Sequence, residues 1–185
     1  MVVLDVEKMQ LSSPLVASVG FFDGVHVGHR YLIEQVKKEA QRLSLPSAII
    51  TFFVHPRITL NKNYQPALLC SLEEKIERLA STNIEYCIPL NCSKEMSQMP
   101  AKTFMYEILK EQLSIDTLII GYDHKFGHDR RENFSDYVRY GKEMGITVLQ
   151  ASELSGSEHV SSSVIRNLLK EGNVRKAAEF LSYNY

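Results

Sequence analysis

Two histidines three residues apart, His26 and His29, close the run Gly20-Phe21-Phe22-Asp23-Gly24-Val25-His26-Val27-Gly28-His29. The run lies between a buried-strand pattern and the start of a helical one, so both imidazoles can share one face at a helix N-terminus. Unpaired backbone N–H groups and the positive end of the helix dipole lie there too. Gly28 removes a side chain between them, so a ligand can approach the backbone closely. This is the construction of a phosphate site, although neither GxxxxGK[ST] nor GxGxxG is present. Three other readings compete. HxxH could supply two zinc ligands, with a third from His55, His124 or His128, but zinc sites usually show a fuller ligand set. His29 could be a general base. The histidines could also merely cap a helix and close a core hydrogen bond, a reading weakened by the framing glycines Gly24 and Gly28.

Three further clusters stand out. Val160-Ser161-Ser162-Ser163-Val164-Ile165-Arg166 is a hydroxyl-rich helix start with a cation one turn inside. Serines cap helices and also donate to phosphate oxygens. Arg166, three after Ser163, projects on the same side and can fork onto a phosphate. Taken alone, the run reads equally well as an ordinary N-cap with a surface arginine. Thr51-Phe52-Phe53-Val54-His55-Pro56 ends a strand in a His-Pro turn. Gly121-Tyr122-Asp123-His124-Lys125-Phe126-Gly127 ends another, and His128 to Asn133 after it reads as a solvated charged loop.

The elements that must position these residues follow from periodicity. Apolar runs at Pro14–Val19, Ser47–Phe52, Tyr86–Leu90, Asp116–Gly121 and Ile146–Leu149 read as five strands. Between them, His29–Leu43 is helical, and Pro46 follows its end. Ser71 and Glu74 form a capping box for a helix with Leu72, Ile76 and Leu79 on its stripe. Helices are expected at Ala101–Leu113, Phe134–Met144, Ser162–Lys170 and Val174–Leu181. The alternation implies an α/β fold, a parallel sheet of about five strands with helices on both faces. Ligands of such sheets bind beyond the carboxyl ends of the strands, at the topological switch point.

Composition bounds the rest. The chain has 185 residues, 44% apolar and 23% charged, which suits one globular domain rather than a disordered chain. Its net charge of −1 argues against a nucleic-acid partner held by a basic surface. Cys70, Cys87 and Cys92 are odd in number with no CxxC, so reduced thiols are expected. The N-terminus has no signal-peptide pattern, and no apolar run approaches the ~20 residues of a membrane span. A cytoplasmic protein with no membrane partner is expected.

The ten residues Gly20–His29 resemble the HxGH signature of the nucleotidylyltransferase superfamily. The Phe-Asp-Gly-Val before the first histidine is similar to the FMN adenylyltransferase (FAD synthetase) module of bacterial bifunctional riboflavin kinase/FAD synthetases. Val160–Arg166 resembles that family's I-S-S-[ST]-x-I-R, Thr51–Pro56 its T-F-x-P-H-P with Val54 in place of Pro, and Gly121–Gly127 its G-x-[DN]-F-x-F-G with His124 in place of Phe. The resemblance runs from about Val16 to Leu181. It implies a Rossmann-like nucleotidylyltransferase fold and transfer of AMP from ATP to FMN, giving FAD and pyrophosphate with no covalent intermediate. The alternatives are another HxGH nucleotidylyltransferase with a different acceptor, or a non-catalytic flavin- or nucleotide-binding module.

By the same resemblance His26, His29 and Arg166 are the catalytic residues, and Gly20, Phe21, Phe22, Asp23, Gly28, Ser162 and Ser163 bind ATP. His55, Asp123 and Phe126 lie on the flavin side. Mg²⁺ is expected to be held mainly by phosphates and water, with no protein cage. Replacing Arg166 by Ala is expected to weaken ATP use with little effect on folding. In the bifunctional relatives a riboflavin kinase domain follows an L-G-R-P-Y-like junction. Here Leu181–Tyr185 falls at that junction, so residues 1–185 are expected to be the adenylyltransferase domain alone, as a piece of a longer protein or a single-activity one.

Overall fold

A computed structural model describes residues 1–6, 13–54, 67–122, 124–128, 131–154 and 160–185. Six parallel strands form one sheet in the order β1-β4-β3-β2-β5-β6. They are β1 (Val2–Val3), β2 (Leu15–Val19), β3 (Ser47–Phe52), β4 (Tyr86–Leu90), β5 (Ile115–Ile120) and β6 (Thr147–Gln150). The sequence leads one to expect about five. The sixth is β1, a two-residue edge strand in which Val2 pairs with Tyr86 and Val3 with Cys87. Two residues are too few to show a period, so β1 forms only because the edge of β4 is there to receive it.

The central strands carry apolar residues on both faces because both faces are covered. Ala17, Ile50, Ile88, Leu118 and Ile120 build one core with residues 101–113 and 134–148. Val16, Ile49, Cys87 and Ile119 build the other, against α1 (Val27–Leu43) and α2 (Leu72–Ala80). A short helix, α3 (Lys94–Ser97), precedes α4 (Ala101–Thr103). The latter continues as a π-helical stretch, Phe104–Gln112, where the sequence leads one to expect ordinary α-helix. Apolar spacing does not distinguish the two windings over so short a run. The remaining helices are α5 (Phe134–Met144), α6 (Ser162–Lys170) and α7 (Val174–Leu181). Ile165, Ala177 and Leu181 bury a third, smaller core against Leu69.

This topology decides where a ligand can bind. From β2 the chain moves outward to β3 and β4, then returns to lay β5 on the other side of β2. The connections after β2 and β5 therefore diverge, and they open a crevice above the carboxyl ends of those strands. Residues 20–29, 121–122 and 124–127 lie at those ends.

Candidate active site

The turn after β2 is strained, and several contacts hold it. Phe22, Gly24 and Val25 all have positive φ, at 55°, 74° and 41°. Gly24 takes this without cost, but the β-branched Val25 does not. Such conformations persist where the surroundings over-determine them. Here the Gly24 N–H donates to Cys70 Sγ at 3.2 Å, and the Tyr183 hydroxyl donates to the Gly24 carbonyl at 2.9 Å. The turn delivers His26 as the N-cap of α1, with its side chain accepting from the His29 N–H.

His26 is buried, and its ring lies against that of His29 with centroids 3.6 Å apart and planes 18° from parallel. Parallel stacked rings do not converge their nitrogens on one point. No group of three His, Cys, Asp or Glu side chains stands ready for a metal among the described residues. His29 is partly buried and also meets the Phe22 ring at 5.0 Å. Its Nδ1 is enclosed and has no hydrogen-bond partner among the described residues.

Desolvation, then the neighbouring His26, His124 and Lys75, hold the His29 imidazole well below its ordinary value near 6.5. At neutral pH it is an uncharged donor or acceptor. This has a consequence for stability. The unfolded chain takes up a proton on His29 as pH falls through about 6.5, whereas the folded chain resists until lower pH. The stability is complete above that value and is lost below it. The melting temperature of the unliganded protein should fall between pH 7.5 and 5.5, and less so in His29→Gln. Equal slopes for both proteins would remove His29 as the cause.

Asp23 and Arg166 form the second half of the site. Arg166 comes from α6 and donates to Asp23 Oδ2 at 2.7 Å and to the Ser163 hydroxyl at 3.4 Å. Asp23 Oδ1 accepts the Leu69 N–H at 2.9 Å, and the Ser162 hydroxyl donates to the Asp23 carbonyl at 3.1 Å. Burial raises the Asp23 carboxyl, and the Leu69 N–H and Arg166 oppose that rise. The pair ties α6 to the turn after β2, so Arg166 also has a structural duty that the sequence alone does not show.

Two adjoining cavities open above the switch point. The first, of about 390 Å³, is lined by His26, Gly28, Tyr31, Gly121, Ala151 and Ser161 among others. The second, of about 530 Å³, has apolar walls from Phe52, Met96, Met99, Phe104 and Phe126, with Asp23, Ser163 and Arg166 at one side. Gly20, Phe21, Phe22, His29, His124 and Ser162 line both. Phe126 is set by Tyr137, whose buried hydroxyl donates to the Phe126 carbonyl at 3.0 Å and accepts its N–H at 3.1 Å. Their rings stack at 4.5 Å. His55 and Asp123 lie outside the described residues.

The sequence profile of the family described as FAD synthetase matches residues 8–164. This chain belongs to the FAD synthetase family. It is 29% identical over 171 residues to a bifunctional riboflavin kinase/FMN adenylyltransferase of Listeria monocytogenes, covering 92% of this chain and 54% of that protein. Proteins with the same description from Escherichia coli and Haemophilus influenzae are 28% and 30% identical, each 55% covered. The chain thus spans about half the length of the curated relatives it matches. The crystal structure of a protein described as a macrolide-efflux protein from Streptococcus pneumoniae superposes with a TM-score of 0.84 at 25% identity. That match covers 99% of this chain and 62% of the other. No helix among the described residues of this FAD synthetase family member is long and apolar enough to cross a membrane.

Sequence reasoning missed Tyr137, Tyr183 and Lys75. The tyrosines carry no local signal, since their hydroxyls meet backbone groups 11 and 159 residues away. Lys75 does leave a trace. It stands three after Leu72 and four before Leu79, on the stripe that faces the core, and it is 2% exposed.

Proposed function

We propose that this chain transfers AMP from ATP to the phosphate of FMN, releasing pyrophosphate and forming FAD. The observation that carries the reading is the pair of cavities joined at His29, one walled by a helix N-terminus and the other by aromatic and methionine side chains, in a member of the FAD synthetase family. The first suits ATP, with its phosphates over the start of α1. The second suits a planar heterocycle laid against the wall that Phe104, Phe126 and the methionines form.

The FMN phosphate has a second pKa of about 6 by analogy with other phosphate monoesters, so it is largely a dianion at neutral pH and needs no general base. One of its oxygens attacks the α-phosphorus, and the bond from that phosphorus to the β-bridging oxygen breaks. The electron pair leaves with pyrophosphate. His26 and His29 contribute donors where charge gathers on the α-phosphoryl oxygens, and Arg166 with Ser162 and Ser163 receives the leaving pyrophosphate. Mg²⁺ would be carried mainly on phosphate oxygens and water, because Asp23, the carboxylate beside Ser162, Ser163 and Arg166, is committed to Arg166 and the Leu69 N–H. When bound, the ion would neutralise phosphate charge. A protein that consumes ATP and FMN belongs in the cytoplasm, and the half of the bifunctional relatives that this chain resembles is their adenylyltransferase.

The test is FAD formation and pyrophosphate release with ATP and Mg²⁺, scanning FMN, riboflavin and other phosphate monoesters. FAD from FMN alone supports the reading. Turnover only with another acceptor overturns the flavin assignment and draws attention to His124, which stands in both cavities where the family pattern has Phe. Binding of ATP and FMN without turnover overturns the enzymatic reading.

Gly28→Ala isolates the ATP side. A methyl group there would lie 3.3 Å from the His26 ring and intrude on the first cavity. Alanine favours the helix by up to about 1 kcal/mol over glycine. The helix gain offsets the small displacement the buried His26 ring must make, so the variant should still fold, while its KM for ATP rises roughly tenfold, a loss of about 1.4 kcal/mol. An unchanged KM would mean that ATP does not pass over this part of α1.

A further inference from the structure

Lys75 is a buried cation that no step above uses. It projects from α2 and is 2% exposed. Its Nζ donates to the Phe21 carbonyl at 3.1 Å and to the Phe52 carbonyl at 3.0 Å, and it sits 4.0 Å from the centre of the Phe21 ring. The first carbonyl belongs to the turn after β2, which lines both cavities. The second is the last residue of β3, which lines the apolar one. The Phe21 carbonyl accepts from the Thr51 hydroxyl as well, at 3.1 Å. One ammonium thus bolts together the two segments that would carry the two substrates.

We propose that Lys75 is a positioning residue for the transfer, holding the phosphate turn at Phe21 in register with the β3 end at Phe52 while contributing a positive charge beneath the anion site. The assignment rests on the reading of the two cavities as sites for ATP and FMN. Burying an ammonium costs several kcal/mol unless it is well hydrogen-bonded, and an apolar residue on this stripe would serve the core without that cost. Two carbonyl acceptors and an aromatic face compensate it here. Burial holds the Lys75 ammonium below its ordinary value, and the neighbouring Cys70, Asp23 and Cys87 oppose that fall. The Lys75 charge also favours the neutral form of His29, as a smaller influence after burial, His26 and His124. Lys75 and Arg166 against Asp23 leave one net positive charge near the turn, which suits a polyphosphate. A shift of one segment by about 1 Å separates the reacting phosphates enough to cost on the order of 10²-fold in rate while leaving each substrate its own cavity.

The test compares Lys75→Met, Lys75→Arg and the parent in two ways: steady-state FAD formation, and the titration midpoint of His29 followed by NMR on the unliganded protein. Lys75→Met should lower kcat by roughly tenfold to a hundredfold, with KM for ATP and FMN changed less than about threefold. Its His29 midpoint should rise, because a neighbouring positive charge is gone. Lys75→Arg keeps the charge but not the compact three-way contact. It should lose kcat while retaining the parental His29 midpoint.

A folded Lys75→Met with parental kcat and midpoint overturns the proposal. So does a variant whose only change is a lower melting temperature with full activity per folded molecule. If Lys75→Met does not fold, Lys75→Arg decides by the same kcat comparison. If the parent itself makes no FAD, the adenylyltransferase reading fails. The His29 midpoints then still report on the charge, and an unmoved midpoint in Lys75→Met overturns that part independently.

Discussion

A His29→Ala variant should fold and bind ATP, yet turn over roughly 10²–10³ times more slowly, the cost of removing one preorganised donor from a developing negative charge. His29 is the only predicted catalytic residue that lines both cavities. Its imidazole is held neutral by burial and by its neighbours, so it offers a hydrogen bond without carrying a buried charge. Folding should suffer little, because the α1 start is capped by His26 accepting from the His29 backbone N–H, a bond that alanine retains. The His29 Nδ1 has no partner among the described residues, so its loss orphans nothing there. Melting temperature, ATP affinity and kcat measured on the same preparation decide the matter. Near-parental turnover in a folded variant would remove His29 from the chemistry.

Arg166→Ala should fail in two separable ways. Activity should fall by about 10²–10³ if the guanidinium receives the leaving pyrophosphate. Stability should fall too, by about 2 kcal/mol, less than the 3–5 typical of a broken buried pair because Arg166 is partly exposed. The second effect exceeds what sequence leads one to expect, and its source is Asp23. That carboxylate is buried and would lose its ion-pair partner, keeping the Leu69 N–H, the Cys70 backbone N–H, a long 3.9 Å contact with the Cys70 thiol and the more distant Lys75 charge. Asp23→Asn combined with Arg166→Ala separates the two. The double variant should regain most of the lost stability and none of the lost turnover. Recovery of both would show that Arg166 acts only as a strut for the turn.

The legibility of this protein differs by element. The five long strands declare themselves because a doubly covered sheet needs continuous apolar runs, and helices between them follow from 3.6-residue spacing. The edge strand Val2–Val3 does not, because its conformation belongs to the partner strand rather than to its own residues. The π-helical winding of Phe104–Gln112 is equally silent, since the spacing of its apolar residues is that of an ordinary helix.

At the site, local chemistry was readable and reciprocal constraint was not. His26 and His29 at helix-start spacing, Gly28 between them, and Ser162, Ser163 and Arg166 at another helix start are patterns written within ten residues of chain. They identify a phosphate site because backbone N–H groups, hydroxyls and a cation are local resources. What the tertiary structure decided is how those resources are held. Arg166 meets Asp23 across 143 residues of sequence, Tyr183 reaches Gly24 across 159, and Lys75 reaches Phe21 across 54. The sequence by itself determined an α/β sheet with a polyanion-seeking turn at its switch point, because apolar periodicity and helix-end chemistry are short-range properties. Only the fold decided that Asp23 serves an arginine, that a lysine is buried on an apolar stripe, and that two cavities share His29 and His124. Contacts between distant segments depend on where the whole chain brings them, which no window of neighbouring residues contains.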